Sequence, residues 1–218
     1  MKRSIITTLC ALSLLGTVQA QDTFESELLQ LQHGWAKANY QQDDDAQEQA
    51  FDDLVVVANK FVARYPDRAE AHIWKGIILS TQAGVEGGLG ALGLAKDSRA
   101  ELEQALKLDP TALDGSAYTS LGTLYYKVPG WPIGFGDDDL AREHLQKALE
   151  LNPHGIDPNY FYGEFLYEEG EYKQAAEHLS KALEAPARPT RPLADSERRK
   201  EVEQLLAKVN KKLKKRRS

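Results

Sequence analysis

The sequence predicts an all-α protein, a helical-repeat solenoid of about four antiparallel helix pairs followed by a C-terminal capping helix. Three observations predict this fold class. Helical runs close at Pro66, Pro110, Pro153 and Pro186, which are 44, 43 and 33 residues apart. Within the runs, Leu, Tyr and Ala recur at three- and four-residue spacing, as on a helix with one buried face. A large residue followed by glycine recurs on the first helix of successive units.

The first element, residues 1–20, has the pattern of a cleaved signal peptide. A short basic start and an apolar run precede Val18-Gln19-Ala20, which predicts cleavage after Ala20. The run is about twelve residues long, too short to span a bilayer comfortably. Cys10 lies inside the run and not at its end, so we predict no lipoprotein. We therefore expect a periplasmic protein whose mature chain has no cysteine and no transmembrane segment.

The next elements are helix pairs. Residues 21–66 read as a degenerate N-terminal pair. Residues 67–110 read as a repeat with a glycine-rich insertion, AGVEGGLGALGLAKD at 83–97. We expect this insertion to be a flexible excursion between two helices. The units at 111–153 and 154–186 are regular. Their shared positions are Leu121, Gly122, Ala141 and Leu145 in the first and Tyr162, Gly163, Ala175 and Leu179 in the second. This pattern resembles the tetratricopeptide repeat, in which the glycine lets the paired helices approach closely.

Residues 187–218 complete the chain as a connector and a C-terminal capping helix with a basic tail. Asp195 or Ser196 is expected to cap this helix, because both side chains can accept a backbone hydrogen bond. Its apolar residues share one face and would cover the end of the stack. They are Val202, Leu205, Leu206, Val209 and Leu213.

The charge distribution argues against nucleic-acid binding. The formal charge of −6 becomes −8 without Lys2 and Arg3, and −14 without the six basic residues of 211–217. A nucleic-acid binder would instead carry its basic residues across a folded face. The basic tail is expected to be a solvated helix end, where cations suit the helix dipole.

Catalytic, cofactor-binding and metal-binding patterns are weak. GLGALG at 88–93 matches G-x-G-x-x-G formally, but no strand candidate precedes it, as a dinucleotide site requires. The histidines lack ligand spacing, and the aspartate runs at 43–45 and 137–139 lack the glycine and alternation of a calcium loop. We predict no enzyme, with no catalytic, cofactor-binding or metal-binding residues.

The segment KVPGWPIGFGDDD at 127–139 interrupts the helical pattern. It exceeds the standard turn of the repeat by about seven residues. Its prolines stiffen it, and Asp137 is expected to cap the following helix. We interpret the loop as a structural spacer that can also serve in binding. Trp131 and Phe135 should either pack on the neighbouring repeat or contact a partner, and packing is favoured.

The run from Leu121 through PGWPIGFGD resembles the tetratricopeptide-containing T component associated with tripartite ATP-independent periplasmic (TRAP) transporters. Two further stretches fit this family, the glycine-rich segment before DSRAELEQALKLDP and the late RPTRPLADSERRKEVEQLLAKV. The resemblance covers about residues 69–208. It implies an all-helical periplasmic module that docks a solute-binding protein, alone or as a homo-oligomer, and helps to hand over a small ligand. Members are often lipid-anchored, and this sequence departs from that pattern.

Three functions stay open from the sequence: a transporter accessory that binds a solute-binding protein, a general periplasmic scaffold for envelope assembly, and an enzyme or direct small-molecule binder. The partner in the first two is a protein. Candidate partner-binding residues lie beside the buried stripe or in the loop. They are Tyr126, Lys127, Trp131, Phe135, Tyr160, Glu164 and Tyr167.

Overall fold

The computed structural model describes the backbone of residues 11–215 and the side chains of residues 23–215 except Leu89. Residues 1–10, where the expected signal peptide begins, and residues 216–218, where the basic tail ends, lie outside the described residues. Residues 11–215 contain nine helices and no named strand. The helices are α1 Ala11–Gln41, α2 Asp44–Arg64, α3 Ala69–Glu86, α4 Gly88–Leu108, α5 Ala112–Lys127, α6 Asp138–Leu151, α7 Ile156–Glu168, α8 Tyr172–Glu184 and α9 Pro192–Lys215.

Successive helices pack in pairs. The pairs are α1 with α2, α3 with α4, α5 with α6 and α7 with α8, and α9 packs on α8 at the end of the stack. The odd-numbered helices α3, α5 and α7 also contact one another in sequence, as the first helices of stacked repeats do. The predicted all-α solenoid of four helix pairs and a capping helix is confirmed.

Glycines at the helix crossings allow this close pairing. A Cβ atom added at Gly122 would lie 2.6 Å from Leu145 Cγ, and one added at Gly163 would lie 2.9 Å from Leu179 Cγ. Both leucines are fully buried. Each leucine of the second helix therefore fills the space that a side chain on the first helix would need.

Two segments differ from the sequence-based expectation. The glycine-rich stretch is not a flexible excursion, because α4 begins at Gly88 and continues through it. Gly87, with φ of 61°, makes the sharp turn from α3, and the alanines and leucines that follow favour a helix. Asp195 and Ser196 do not cap the last helix, which begins at Pro192, because proline suits the first helical position. The side chain of Asp195 instead accepts hydrogen bonds from the backbone N–H and the guanidinium of Arg188.

The stack curves until its two ends meet. Helix α1 contacts α9, and His33 Nε2 lies 2.6 Å from the carbonyl oxygen of Thr190 in the connector before α9. The Tyr40 hydroxyl donates to Glu201 Oε2 at 3.4 Å. The concave side is therefore bounded by the first helix of each pair and by α9.

Candidate functional site

Three of the predicted partner-binding residues form one polar cluster between α5 and α7. The Tyr126 hydroxyl donates to Glu164 Oε2 at 2.6 Å, and Lys127 Nζ lies 3.0 Å from Glu164 Oε1. Burial raises the pKa of the Tyr126 hydroxyl well above its ordinary value, and the carboxylate of Glu164 adds to the effect. The hydrogen-bonding groups of this cluster are thus used within the chain, and the Lys127 side chain is more exposed than that of Glu164.

The two remaining tyrosines make no hydrogen bond with this cluster, although the charge of Glu164 helps to raise the pKa of the Tyr160 hydroxyl, which burial raises most. Tyr160 is buried, with the guanidinium carbon of Arg198 4.5 Å from its ring centroid. Tyr167 lies near the end of α7, with its ring 5.6 Å from that of Tyr172 of α8. Tyr160 therefore offers little surface to a partner, and Tyr167 packs beside α8 near the end of α7.

The loop at 128–137, between α5 and α6, presents the most exposed aromatic side chain among the described residues. The side chain of Trp131 is 89% exposed and that of Ile133 is 70% exposed. Trp131 precedes Pro132 through a cis peptide bond. The expectation that Trp131 packs on a neighbouring repeat was wrong, because a ring this exposed buries almost none of its surface against the rest of the chain.

Phe135 of the same loop does pack. The guanidinium carbon of Arg99, on α4 of the preceding repeat, lies 4.3 Å from its ring centroid, and the ring of Tyr125 meets it edge to face at 5.8 Å. The loop is also held by backbone hydrogen bonds, from Gly136 to the carbonyl of Pro129 and from Asp137 to that of Tyr125. The Asp137 side chain accepts from Leu140 N at 3.0 Å and caps α6 as predicted. The loop therefore presents Trp131 from a fixed base.

The concave side of the solenoid contains a partly open cavity of about 920 Å³. Residues of α1, α3, α5, α7 and α9 line it. Both unusual insertions also contribute to its wall: Ala91 and Leu92 from the glycine-rich start of α4, and Val128, Pro129 and Ile133 from the loop. Since Ile133 lines the cavity and is mostly exposed, it marks the cavity mouth.

Aromatic residues form one wall of the cavity. The rings of Trp35 and Trp74 meet at 6.0 Å, and Tyr40 meets Trp35 edge to face at 5.7 Å. Trp35 Nε1 donates to Thr81 Oγ1 at 2.9 Å. The backbone of α5 is left-handed at Leu113, with φ of 48°, and at Asp114, with φ of 54°, and both residues line the cavity. Such strain in non-glycine residues is concentrated at functional sites in proteins.

A network of arginines and carboxylates adjoins this wall, since Tyr40 donates to Glu201 and the Arg191 guanidinium lies over the ring of Trp74. Arg188 bonds Asp157 Oδ2 at 2.7 Å and Asp195 Oδ1 at 2.6 Å. Arg198 bonds Asp157 Oδ1 at 3.1 Å and Glu201 Oε2 at 2.6 Å. Burial alone would raise the pKa of the Asp157 carboxyl, but the arginines hold it well below its ordinary value. Burial raises the pKa of the Glu201 carboxyl.

The geometry suits binding. Within residues 23–215, leaving out Leu89, no three His, Cys, Asp or Glu side chains come together as metal ligands would. No helix in that part of the chain is long and apolar enough to cross a membrane. What the concave side offers is a partly apolar cavity with charged groups at one wall, which is the usual form of a small-molecule site.

The sequence alone does not single out the cavity residues. Trp35 and Trp74 lie in the two irregular units, outside any motif, and the arginines of PARPTRPL read as part of a connector. One available signal was the density of arginine in that connector, since Arg188 and Arg191 lie only three residues apart next to prolines. Nothing local indicates that α9 returns to α1.

The paired helices with glycine crossings define the class of the protein: an all-α helical-repeat solenoid of the tetratricopeptide-like kind. The tetratricopeptide repeat family model matches residues 133–209. Tetratricopeptide-repeat proteins are typically non-catalytic scaffolds with protein partners.

Among solved structures, a thermophilic tetratricopeptide-repeat protein of Thermus thermophilus is similar in fold, with a TM-score of 0.56 and 17% identity over 89% of this chain and 96% of that chain. Two crystal structures of MamA also match, each with a TM-score of 0.44 and 20% identity. They cover 80% and 87% of this chain and 97% and 94% of their own. No curated protein sequence gives a significant match.

Proposed function

We propose that the chain is a non-catalytic protein-interaction module that acts in the periplasm and docks the solute-binding protein of a TRAP-type transporter. The repeat architecture supports a protein partner. The resemblance of PGWPIGFGD at 129–137 to the T component supports the class of partner, and the signal-like pattern of residues 1–20 supports the location. Cleavage before Gln21 would verify that the protein is exported.

The exposed Trp131 is the observation that carries the docking proposal. Tryptophan is enriched among the residues that dominate protein–protein binding energies. Here it projects, 89% exposed, from a loop whose neighbouring Phe135 is packed against α4 and α5. A rigid base lowers the entropy lost when the side chain is immobilised by a partner. The loop therefore has the form of a preorganised docking surface.

The test measures binding between the purified protein and the TRAP-type solute-binding protein of the same genome, by biolayer interferometry. We expect Trp131→Ala to weaken binding by about tenfold or more, because it removes the central apolar anchor. Val57→Ala is the matched control, since Val57 is an apolar residue on α2 that is 51% exposed and distant in sequence from the loop. If Trp131→Ala leaves binding unchanged, the loop is not the docking surface. If the two proteins do not bind, the proposed partner is wrong.

A general scaffold for envelope assembly is the second candidate function. The position of Cys10 inside the apolar run, away from where a lipid anchor is attached, favours it. Affinity capture from an envelope fraction separates the two candidates. Recovery of outer-membrane assembly factors in place of a solute-binding protein would support the scaffold.

A further inference from the structure

The second half of α9 carries a concentration of positive charge. Residues 204–215 contain five lysines and no aspartate or glutamate. We call these residues the α9 lysine cluster: Lys208, Lys211, Lys212, Lys214 and Lys215. All five are exposed, and the first four form no ion pair with any side chain that the structure describes. In the first half of α9, by contrast, Lys200 pairs with Glu197 at 2.7 Å. The charge of the cluster is therefore available to a partner.

The cluster is held on an ordered helix and not on a loose tail. Val209 is fully buried, and Leu213 packs against the same core. All members of the cluster except Lys214 recur at helical spacing and share one face. With Tyr167 of α7 they line a partly open groove of about 270 Å³. Like charges on one helix face repel each other, so a counter-charge from outside would stabilise this arrangement.

The helix dipole explains only part of the cluster. Cations are favourable near the C-terminus of a helix, and Lys212, Lys214 and Lys215 lie in the last turn of α9. Lys208 and Lys211 precede that turn, and the effect of the dipole fades beyond it. A solvated helix end therefore does not account for the whole lysine face.

The composition of this face favours lipid headgroups over a protein surface. Protein interfaces are depleted in lysine and depend on buried apolar anchors. The large hydrophobic side chains that are exposed among the described residues all lie outside α9. Lysine is a hydrated point charge that needs no fixed pairing geometry, and basic clusters on helices are attracted to anionic bilayers. Tyr167 adds a half-buried aromatic ring of the kind that suits the headgroup region.

The charge of the rest of the chain would orient the protein at such a surface. Residues 21–210 carry a formal charge of −14. An anionic bilayer repels this acidic part and attracts the α9 lysine cluster, so the molecule approaches with the end of α9 first. The separation of the two charges along the chain thus favours one orientation.

We propose that the second half of α9 is a membrane-docking surface, on which the α9 lysine cluster contacts the headgroup phosphates of anionic lipids. The surface differs from the loop that carries Trp131, and the partner is a bilayer and not a protein. The inference therefore does not depend on the docking of a solute-binding protein.

Flotation of the purified protein with lipid vesicles tests the proposal. One kind of vesicle contains equal amounts of phosphatidylglycerol and phosphatidylcholine, and the other contains phosphatidylcholine alone, which reports any binding that does not depend on charge. We expect binding to the anionic vesicles to be about tenfold or more tighter. This difference should decrease as salt is added, because salt screens exposed charges.

Removing three charges from the cluster should remove most of this difference. The triple variant Lys208→Gln, Lys211→Gln, Lys212→Gln should weaken binding to anionic vesicles by about tenfold or more. It should leave the melting temperature equal or higher, because the repulsion along α9 decreases. Arginine at the same three positions should retain binding, because the attraction depends on charge.

The matched control is the triple variant Lys37→Gln, Lys60→Gln, Lys96→Gln. It removes the same charge from exposed side chains of α1, α2 and α4, and should leave vesicle binding unchanged. Equal binding of the parent protein to both kinds of vesicle, undiminished binding of the α9 variant, or an equal loss in the control would each overturn the proposal. If the parent protein floats with neither kind of vesicle and the α9 variant loses binding to the solute-binding protein, the cluster is a protein-docking surface instead.

Discussion

At the scale of single residues, glycine determines how closely the paired helices approach. A Cβ atom at Gly122 would lie 2.6 Å from Leu145 Cγ and 3.1 Å from the carbonyl oxygen of Ala141. The first distance is shorter than real Cβ contacts, and Leu145 is fully buried and cannot move into open space. By contrast, a Cβ atom at Gly93 of α4 would meet nothing within 4 Å.

These two glycines predict stability changes of opposite sign. Gly122→Ala should lower the free energy of unfolding by about 1–3 kcal/mol, because it overpacks a full core. Gly93→Ala should raise it by about 0.5–1 kcal/mol, because alanine restricts the unfolded chain and favours a helix. Urea unfolding followed by circular dichroism measures both. If Gly122→Ala were as stable as the parent protein, the close crossing of α5 and α6 would not depend on the missing side chain.

The sequence indicates these crossings because the requirement is local. A large residue, a glycine and the following Ala-x-x-x-Leu lie within one repeat, so the pattern at Gly122 predicts its packing on Leu145. The contact between the two ends of the stack depends on elements far apart in sequence. The hydrogen bond from Tyr40 to Glu201 becomes visible only once α1 and α9 are placed in space.

At the scale of elements, the two insertions act as parts of one wall. The glycine-rich start of α4 and the loop at 128–137 both line the cavity. They also approach each other closely, since a Cβ atom at Gly134 would lie 3.4 Å from Leu92 Cδ1. Just beyond the glycine-rich segment, Arg99 of α4 lies over Phe135. The insertions therefore extend the concave side beyond what the regular repeats supply.

Substitutions of the two aromatic residues of the loop should differ in their effect on stability. Phe135→Ala should lower the free energy of unfolding by about 1–2 kcal/mol, because it removes apolar contact with Tyr125 and a cation–π contact with Arg99. Trp131→Ala should change it by no more than about 0.5 kcal/mol, since the side chain is 89% exposed. Thermal and urea unfolding of the two variants provide the comparison. An equal loss in both would show that Trp131 supports the loop, which contradicts its role as a free docking residue.

The sequence predicts the existence of these insertions but not their form. Repeat spacing shows that residues are added, because the count between Gly122 and Ala141 exceeds the standard unit. The glycines in 83–97 suggested a flexible excursion, whereas the alanines and leucines between them continue α4. Helix propensity summed over the segment outweighs its glycines when the segment packs on a neighbour.

At the scale of the whole molecule, Arg198 connects the last helix to the rest of the stack. Its guanidinium bonds Asp157 at the start of α7 and Glu201 within α9, and Glu201 accepts from Tyr40 of α1. The rings of Tyr160 and Phe161 lie beneath the same guanidinium. Arg198 of α9 thus contacts α7 directly and is linked to α1 through Glu201.

We expect Arg198→Met to open this closure. The methionine fills similar space but leaves Asp157 with Arg188 alone and takes from Glu201 its ion pair with Arg198. This should lower the free energy of unfolding by about 2–4 kcal/mol. Lys200→Met is the matched control on α9, because Lys200 is 61% exposed and pairs with Glu197 on the same helix. That change should cost at most about 1 kcal/mol.

Hydrogen exchange tests whether the loss is spread through the molecule or confined to the closure. If Arg198 joins the ends of the solenoid, Arg198→Met should speed exchange in the C-terminal half of α1 and the first turns of α9 more than in α5 and α6, because local opening exposes the least supported elements first. Uniform acceleration in all helices would mean that the network stabilises the stack as a whole and does not act as a clasp. Unchanged exchange in α1 would show that apolar packing maintains its contact with α9. The ion pairs of Arg198 with Asp157 and Glu201 would then not be what joins the two ends of the solenoid.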